Sequence, residues 1–296
     1  MRPYFRIAGS HLSVFLHRRD LEMHSCPFHP RVTRMDMTWL IWLAIAVVGA
    51  LGIPPLFGIP RSKVPRRVGE EGYDDTVFET GFAELQEKQI FKGMRKAVSD
   101  QMLQWNKNGD ISSVHDILDI GCGTGHLIKV IHDELGQRGM NTVMHGVDIG
   151  TASISECKTF LVDAGLDNVD VKEGDAANLP FEDNSMDLIL SSLSLHHWSK
   201  PGQSLEEIHR VLRVGGRFIL FDLRRDARKI YHHAFEHWFQ PTMPEPLRSA
   251  GEPHSSMLAA YTIPEISSFM DGSSWKDEQV YIIPKSFTFF IDAMKK

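Results

Sequence analysis

The chain has 296 residues, with 32 Lys and Arg against 38 Asp and Glu, 42% hydrophobic residues and three cysteines. That composition is globular and excludes a disulfide scaffold, a collagen-like fibre and a wholly disordered chain. The formal charge of −6 conceals a division: the first 67 residues hold ten basic and three acidic side chains (+7), the rest 22 and 35 (−13).

In chain order, residues 1–34 carry four His and one Cys with no helical or strand period, and 1–36 are expected to be an unstructured extension. Met35 or Met37 would make a natural start. Between Asp36 and Arg61 there is no charged residue. The part before Pro54 would span about 25 Å as a helix, near the lower limit for a bilayer core, and Trp39 and Trp42 sit near one end, as interfacial aromatics do. Residues 37–59 are therefore expected to form a single transmembrane anchor. A buried core helix and a signal peptide cleaved near Val48-Gly49-Ala50 are the alternatives. Basic residues flank the segment on both sides. If the extension is discounted, Arg61, Lys63, Arg66 and Arg67 dominate, and the body is expected to face the cytoplasm. Cys26, Cys122 and Cys157 lack metal-ligand spacing and suit a reducing compartment.

Residues 60–77 read as a linker and 78–296 as one domain. Phe82, Leu85, Ile90, Met94, Val98 and Leu103 predict one or two amphipathic helices over 78–105. Strands are then expected at 116–120, 143–148, 169–173, 186–191 and 217–222, with helices at 125–135, 151–164 and 201–212. A helix at 264–270 and an antiparallel pair at 279–283 and 286–291 close the chain. Alternating strands and helices imply an α/β, doubly wound, mostly parallel sheet.

Ligands of such sheets bind at the carboxyl ends of the strands. The first strand ends in Asp119-Ile120-Gly121-Cys122-Gly123-Thr124-Gly125. Alternate glycines let backbone turn tightly and approach a ligand closely. The spacing is not that of a dinucleotide loop, and Asp119 would repel pyrophosphate but suit a cationic centre. D-I-G-C-G-T-G resembles the first motif of class I S-adenosylmethionine (SAM)-dependent methyltransferases. Gly146-Val147-Asp148, the stretch 173–181 that contains Asp175-Ala176, and the stretches 187–198 and 207–217 follow in that family's order. The resemblance is strong over 116–222 and weak from 262 onward. It implies a Rossmann-like seven-stranded sheet with an antiparallel last strand, and SAM as cofactor. The cofactor residues would be Asp119, Gly121, Cys122, Gly123, Gly125, Asp148, Ile149, Asp175, Ala176 and Ser191. Among these, Asp148 would accept the ribose hydroxyls, while Asp175 and the following amide would meet the adenine edge. One departure is Gly272-Ser273-Ser274-Trp275 in place of the family's Ala-Gly-Phe.

His196 and His197 follow the fourth strand, and either is a candidate general base near neutral pH. Packing against the 201–212 helix is the other reading. Ser191-Ser192-Leu193-Ser194 stands where base-modifying relatives carry Asn/Asp-Pro-Pro-aromatic, and the body is acidic, so nucleic acid is not expected as a partner. No acidic trio of the catechol type is evident, so no metal is expected. Arg224, Arg225, Arg228 and Lys229 read as a solvated helix start or an anion contact. The aromatic-rich insertion at 230–261 would form a lid over an apolar acceptor, or a core of its own. The expected function is a membrane-anchored SAM-dependent methyltransferase acting on a small amphipathic or lipid-soluble acceptor, at a hydroxyl, thiol or ring carbon. A protein methyltransferase with a membrane partner and a non-catalytic SAM-binding subunit are the alternatives.

Overall fold

The computed structural model of the chain describes residues 59–67, 76–104 and 113–296, with only the backbone at 76–80. The expected extension at 1–36 and all of the expected anchor except Ile59 lie outside the described residues. Among the described residues, no helix is long and apolar enough to cross a membrane.

Two helices, α1 (Thr76–Gln86) and α2 (Gln89–Gln104), precede the sheet. The expected alternation follows: β1 (Asp116–Ile120), α3 (His126–Gly136), β2 (Val143–Asp148), α4 (Thr151–Asp163), β3 (Asp170–Glu173), β4 (Met186–Ser192), α5 (Pro201–Val211) and β5 (Leu212–Leu223). The insertion forms α6 (Lys229–Ala234), which runs on through a wider turn at Phe235–Phe239, then α7 (Glu245–Ser249) and α8 (His254–Ala259). A capping box between Thr262 and Glu265 starts α9 (Ile263–Asp271), and β6 (Gln279–Pro284) and β7 (Thr288–Met294) close the chain.

The sheet order is β3-β2-β1-β4-β5-β7-β6, with β7 antiparallel to both neighbours. The direction of winding reverses between β1 and β4. Neighbouring strand residues such as Ile117 and Leu118, Leu188 and Ile189, or Phe218 and Ile219 enter different core clusters. Side chains alternate across a strand, so apolar runs of this kind require a sheet covered on both faces.

Two boundaries differ from expectation by three residues or more. β5 begins at Leu212, because the end of α5 passes directly into extended backbone and Leu212 pairs with Met186 before a register shift. β7 extends to Met294, since its register with β5 continues to Arg217. Trp275, at the family departure, is buried against Phe218 and donates its indole N–H to the Leu205 carbonyl at 2.9 Å.

Residues 60–67 of the expected linker, together with Ile59, form a seated strap. Lys229 N–H donates to the Pro60 carbonyl at 3.1 Å, Ser62 N–H to Ala227 at 2.9 Å and Arg67 N–H to Leu258 at 3.1 Å. Arg225 is buried, donating to the Val64 carbonyl at 3.0 Å and to Glu265 at 2.8 Å. Buried Arg224 pairs with Asp226 at 2.7 Å. Neither arginine is a solvated helix start; both fasten local structure. Arg66 donates to the carbonyls of Ala259 (2.6 Å) and His196 (2.9 Å), and its guanidinium lies 4.1 Å from the Tyr261 ring centre.

A buried ion pair between β5 and β7 also holds α2. Asp292 on β7 accepts from Arg217 Nε at 2.7 Å and from the Gln101 amide at 2.6 Å. Replacing Asp292 takes from Arg217 the carboxylate that it meets inside the protein, and breaking a buried pair is costly. Asp292→Ala is expected to cost about 3–5 kcal/mol in urea unfolding, and a loss below about 1 kcal/mol would show that the pair contributes as little as an exposed one.

Candidate functional site

The carboxyl ends of β1, β2 and β4 border one cavity at the point where the winding reverses. Gly121 and Cys122 donate backbone N–H to the Val147 carbonyl at 2.8 and 3.1 Å, which draws the loop after β1 across the end of β2. The loop glycines have distinct duties. Gly121 has φ +69°, and a Cβ there would fall 2.0 Å from Ser194 Oγ. Gly125 has φ +80°, and its Cβ would meet Cys157 Sγ at 2.7 Å, so this glycine lets the loop lie against α4. Gly123 has φ +48° with nothing within 4 Å of a built Cβ, and it lines the cavity.

Among the expected cofactor residues, Asp119, Gly121, Cys122, Gly123, Asp148, Ile149, Asp175 and Ala176 line the cavity. The other two, Gly125 and Ser191, do not line it. Gly125 is not among the lining residues, because its open side is taken by α4. Ser191 is fully buried and donates its hydroxyl to the Ile120 carbonyl at 2.9 Å; its neighbour Ser192 lines the cavity instead. Asp175 accepts from Ala177 N–H at 2.9 Å, so it also makes the turn after β3.

The electrostatics favour a cation. Asp119 is buried and its Oδ1 has no hydrogen-bond partner among the described residues. Burial, and secondly the Asp148 charge, push its carboxyl well above the usual range. Burial also raises Asp148, opposed by N–H bonds from Gly150 (3.0 Å) and Gly123 (2.8 Å). Two carboxyls held in this way gain from a cation that lowers the cost of ionising them.

The two histidines separate. His196 is buried, and Asp222 at the end of β5 holds both its backbone N–H (2.9 Å) and its Nδ1 (2.7 Å). It does not line the cavity, which removes it as a base in contact with an acceptor. His197 lines the cavity, its ring 3.9 Å from that of His196. The turn carrying them is further held by Trp198 Nε1, which donates to Ser194 Oγ at 2.9 Å, and by Tyr261 Oη, which donates to the Trp198 carbonyl at 3.0 Å. Leu193, at the start of this turn, has φ +55° and also lines the cavity. A branched side chain in that conformation is strained and is held by its surroundings.

Sequence reasoning missed the roof. Phe82 and Gln86 from α1, and Phe91, Met94 and Arg95 from α2, line the cavity. Arg95 is buried, donates to the Gln86 side chain and carbonyl, and leaves Nε without a partner among the described residues. The signal was present: Arg95 interrupts the apolar stripe of Met94, Val98 and Met102 on an otherwise amphipathic helix. No residue of the 230–261 insertion lines the cavity. Phe235, Met257 and Ala260 form their own cluster with Leu223, and Met243 and Leu247 pack on Leu85. The insertion thus buttresses Leu193 and α1 and is not a lid.

The donor set fits SAM. Its amino-acid end carries an ammonium and a carboxylate, matching the unmet Asp119 oxygen and Arg95 nitrogen. Asp148 would hold the ribose, and the 57%-exposed Ile149 with Asp175 and Ala176 would border the base. Among the described residues, no group of His, Cys, Asp and Glu has the geometry of a metal site.

The methyltransferase domain family model matches residues 111–262, just over half of the chain. The chain is 31% identical over 136 residues to a demethylmenaquinone methyltransferase from Lactococcus lactis, covering 46% of this chain and 52% of the relative. It is likewise 31% identical over 121 residues to the ubiquinone/menaquinone biosynthesis C-methyltransferase UbiE from Hahella chejuensis, covering 40% and 47%. The chain therefore spans about half the length of these curated relatives. A SAM-dependent methyltransferase from Aquifex aeolicus has a similar fold, with TM-score 0.53, 17% identity, and coverage of 75% of this chain and 99% of that one.

The glycine duties predict separable effects. Gly125→Ala is expected to lower Tm sharply, because Cys157 must move. Gly123→Ala should cost only about 1–2 kcal/mol of backbone strain, yet weaken S-adenosylhomocysteine binding at least about tenfold by filling the approach. Equal loss of stability in both variants would contradict this division. For Asp119, ionisation is the disfavoured state, so ligand-free stability declines as pH rises above the ordinary carboxyl range toward the raised value. Asp119→Asn should therefore raise the ligand-free Tm at pH 7 while weakening S-adenosylhomocysteine in calorimetry; a lowered Tm would refute the sign.

Proposed function

Since the chain belongs to the methyltransferase domain family, we propose that it moves the methyl group of SAM to a small amphipathic or lipid-soluble acceptor at a membrane. In this reading residues 37–59 anchor the chain and the body faces the cytoplasm. The observation that carries the acceptor class is the cavity wall beyond the glycine loop. Phe82, Phe91 and Met94 from the roof, with Leu193 and Trp198 from the turn after β4, make that wall apolar, and His197 stands among them. The quinone-ring chemistry in the names of the curated relatives is consistent with such an acceptor.

SAM supplies an activated methyl group, so the protein's work is alignment, exclusion of water and removal of the acceptor's proton. Asp119, Asp148 and the glycine loop bind and orient. The roof excludes water. His197 takes the proton from a hydroxyl, a thiol or a ring carbon, and a positioned base of this kind contributes about 10²–10⁴-fold. His196 acts through its neighbour: clamped by Asp222 and Arg66, it fixes the turn that presents His197.

His197→Ala is expected to lower kcat by about 10²-fold or more with S-adenosylhomocysteine affinity within about threefold of wild type. His196→Ala should lower Tm and kcat together. Methyl-tritiated SAM supplied to membranes with and without the protein identifies the acceptor. Label in solvent-extractable lipid supports the proposal, label in protein replaces it with a protein methyltransferase, and cofactor binding without label leaves a non-catalytic subunit.

A further inference from the structure

The strap carries exposed residues whose chemistry the cofactor cavity does not use. The last two residues of the uncharged sequence 37–60 are held on the body: Arg228 donates to the Ile59 carbonyl at 3.2 Å and Lys229 N–H to the Pro60 carbonyl at 3.1 Å. The next residue along α6, Ile230, is 37% exposed; Trp238, two turns on, is 49% exposed; and Val64 on the strap is 37% exposed. Ile230, His233 and His237 recur at helical spacing on the exposed side of α6, while His232, Ala234 and Phe235 are buried on the other. Lys63, Arg67 and Lys229 are exposed on the same two segments. Other exposed apolar residues, such as Val162 and Val214, sit singly on α4 and at the start of β5.

We propose that the strap and the outer side of α6 form a docking face for the headgroup boundary of a bilayer bearing anionic lipid, with Trp238 and Ile230 inserted and Lys63, Arg67 and Lys229 on the headgroups. Apolar and aromatic side chains rimmed by Lys and Arg, within a few residues of an uncharged segment of membrane-spanning length, have the chemistry of an interfacial element. The face is mechanically joined to the site. Arg66 of the strap holds the His196 carbonyl, and the cluster beneath α6 includes Phe235 and packs on the cavity residue Leu193. Docking would therefore steady the turn that presents His197. The inference rests on the anchored reading of residues 37–59 and adds to it a second, reversible contact with the bilayer.

The test uses the full chain with Cys26→Ser, reconstituted in phosphatidylcholine vesicles with and without phosphatidylglycerol. Spin labels are placed singly through Ile230→Cys, Trp238→Cys, Val162→Cys and, within the uncharged segment, Ala46→Cys. Oxygen against water-soluble nickel chelate reads depth. The expected result is lipid-like accessibility at 230 and 238 with phosphatidylglycerol and aqueous accessibility at 162. The combined variant Lys63→Gln, Arg67→Gln, Lys229→Gln should lower the docked population at 238 by about fivefold per charge removed, while the label at 46 stays in lipid. Aqueous readings at 230 and 238 with 46 in lipid overturn the docking face and leave the anchor standing. An aqueous reading at 46 overturns the anchor itself. Dipolar broadening at 238 that unlabelled chain dilutes away would mean that a second copy covers the face, which also overturns the proposal.

Discussion

At the switch between β1 and β4 the backbone of Gly121 passes so close to Ser194 that a methyl group in its place would overlap the serine hydroxyl. That close approach organises the rest of the site. It brings the loop after β1 against the end of β2, where Val147 accepts two N–H groups and Asp148 accepts a third, and against the turn after β4, where Ser194 accepts from Trp198. The cavity between these strand ends exists because position 121 has no side chain and position 123 presents bare backbone. With α4 filling the space beyond Gly125, the third glycine completes a loop pinned on two sides and open on one.

Around that opening the chain concentrates carboxylates. Asp119, Asp148 and Asp222 each stand at or near the carboxyl end of a parallel strand, yet they do different work. Asp119 is buried with an unmet oxygen, Asp148 is tied to loop amides, and Asp222 is spent on His196. The first two raise the cost of the empty site and are relieved by a cation, which makes binding energy out of stored electrostatic strain. The third shows how a carboxylate in an equivalent position becomes structural once a histidine reaches it. Arg95 in the roof is the opposite case, a buried cation with one nitrogen unmet, so the cavity presents both signs of charge to a zwitterionic end group.

Outside the cavity, the strap and the insertion brace the walls. Arg66, Tyr261 and Asp222 converge on the turn at 196–198 from three segments far apart in sequence. The insertion's aromatic residues are spent on its own core, and through Leu193 and α1 it supports the cavity without entering it.

The sequence alone determined the alternation of strands and helices, because apolar runs and 3.6-residue periods are local signals. It also determined the glycine loop and the strand-end acids Asp119, Asp148 and Asp175, since a motif at a strand end carries its own geometry. Only the tertiary structure shows which of His196 and His197 lines the cavity: the two are adjacent in sequence, and what separates them is Asp222, 26 residues from His196 and at the end of a different strand. It likewise turns the Ser191 hydroxyl to the Ile120 carbonyl, because a strand residue's face depends on register with its neighbour. The strap was not readable in advance for the same reason, and for Arg95 and the insertion the sequence left a signal or two alternatives without saying what each packs against. Each depends on which distant surface covers a helix or segment whose local pattern says only that one side is buried.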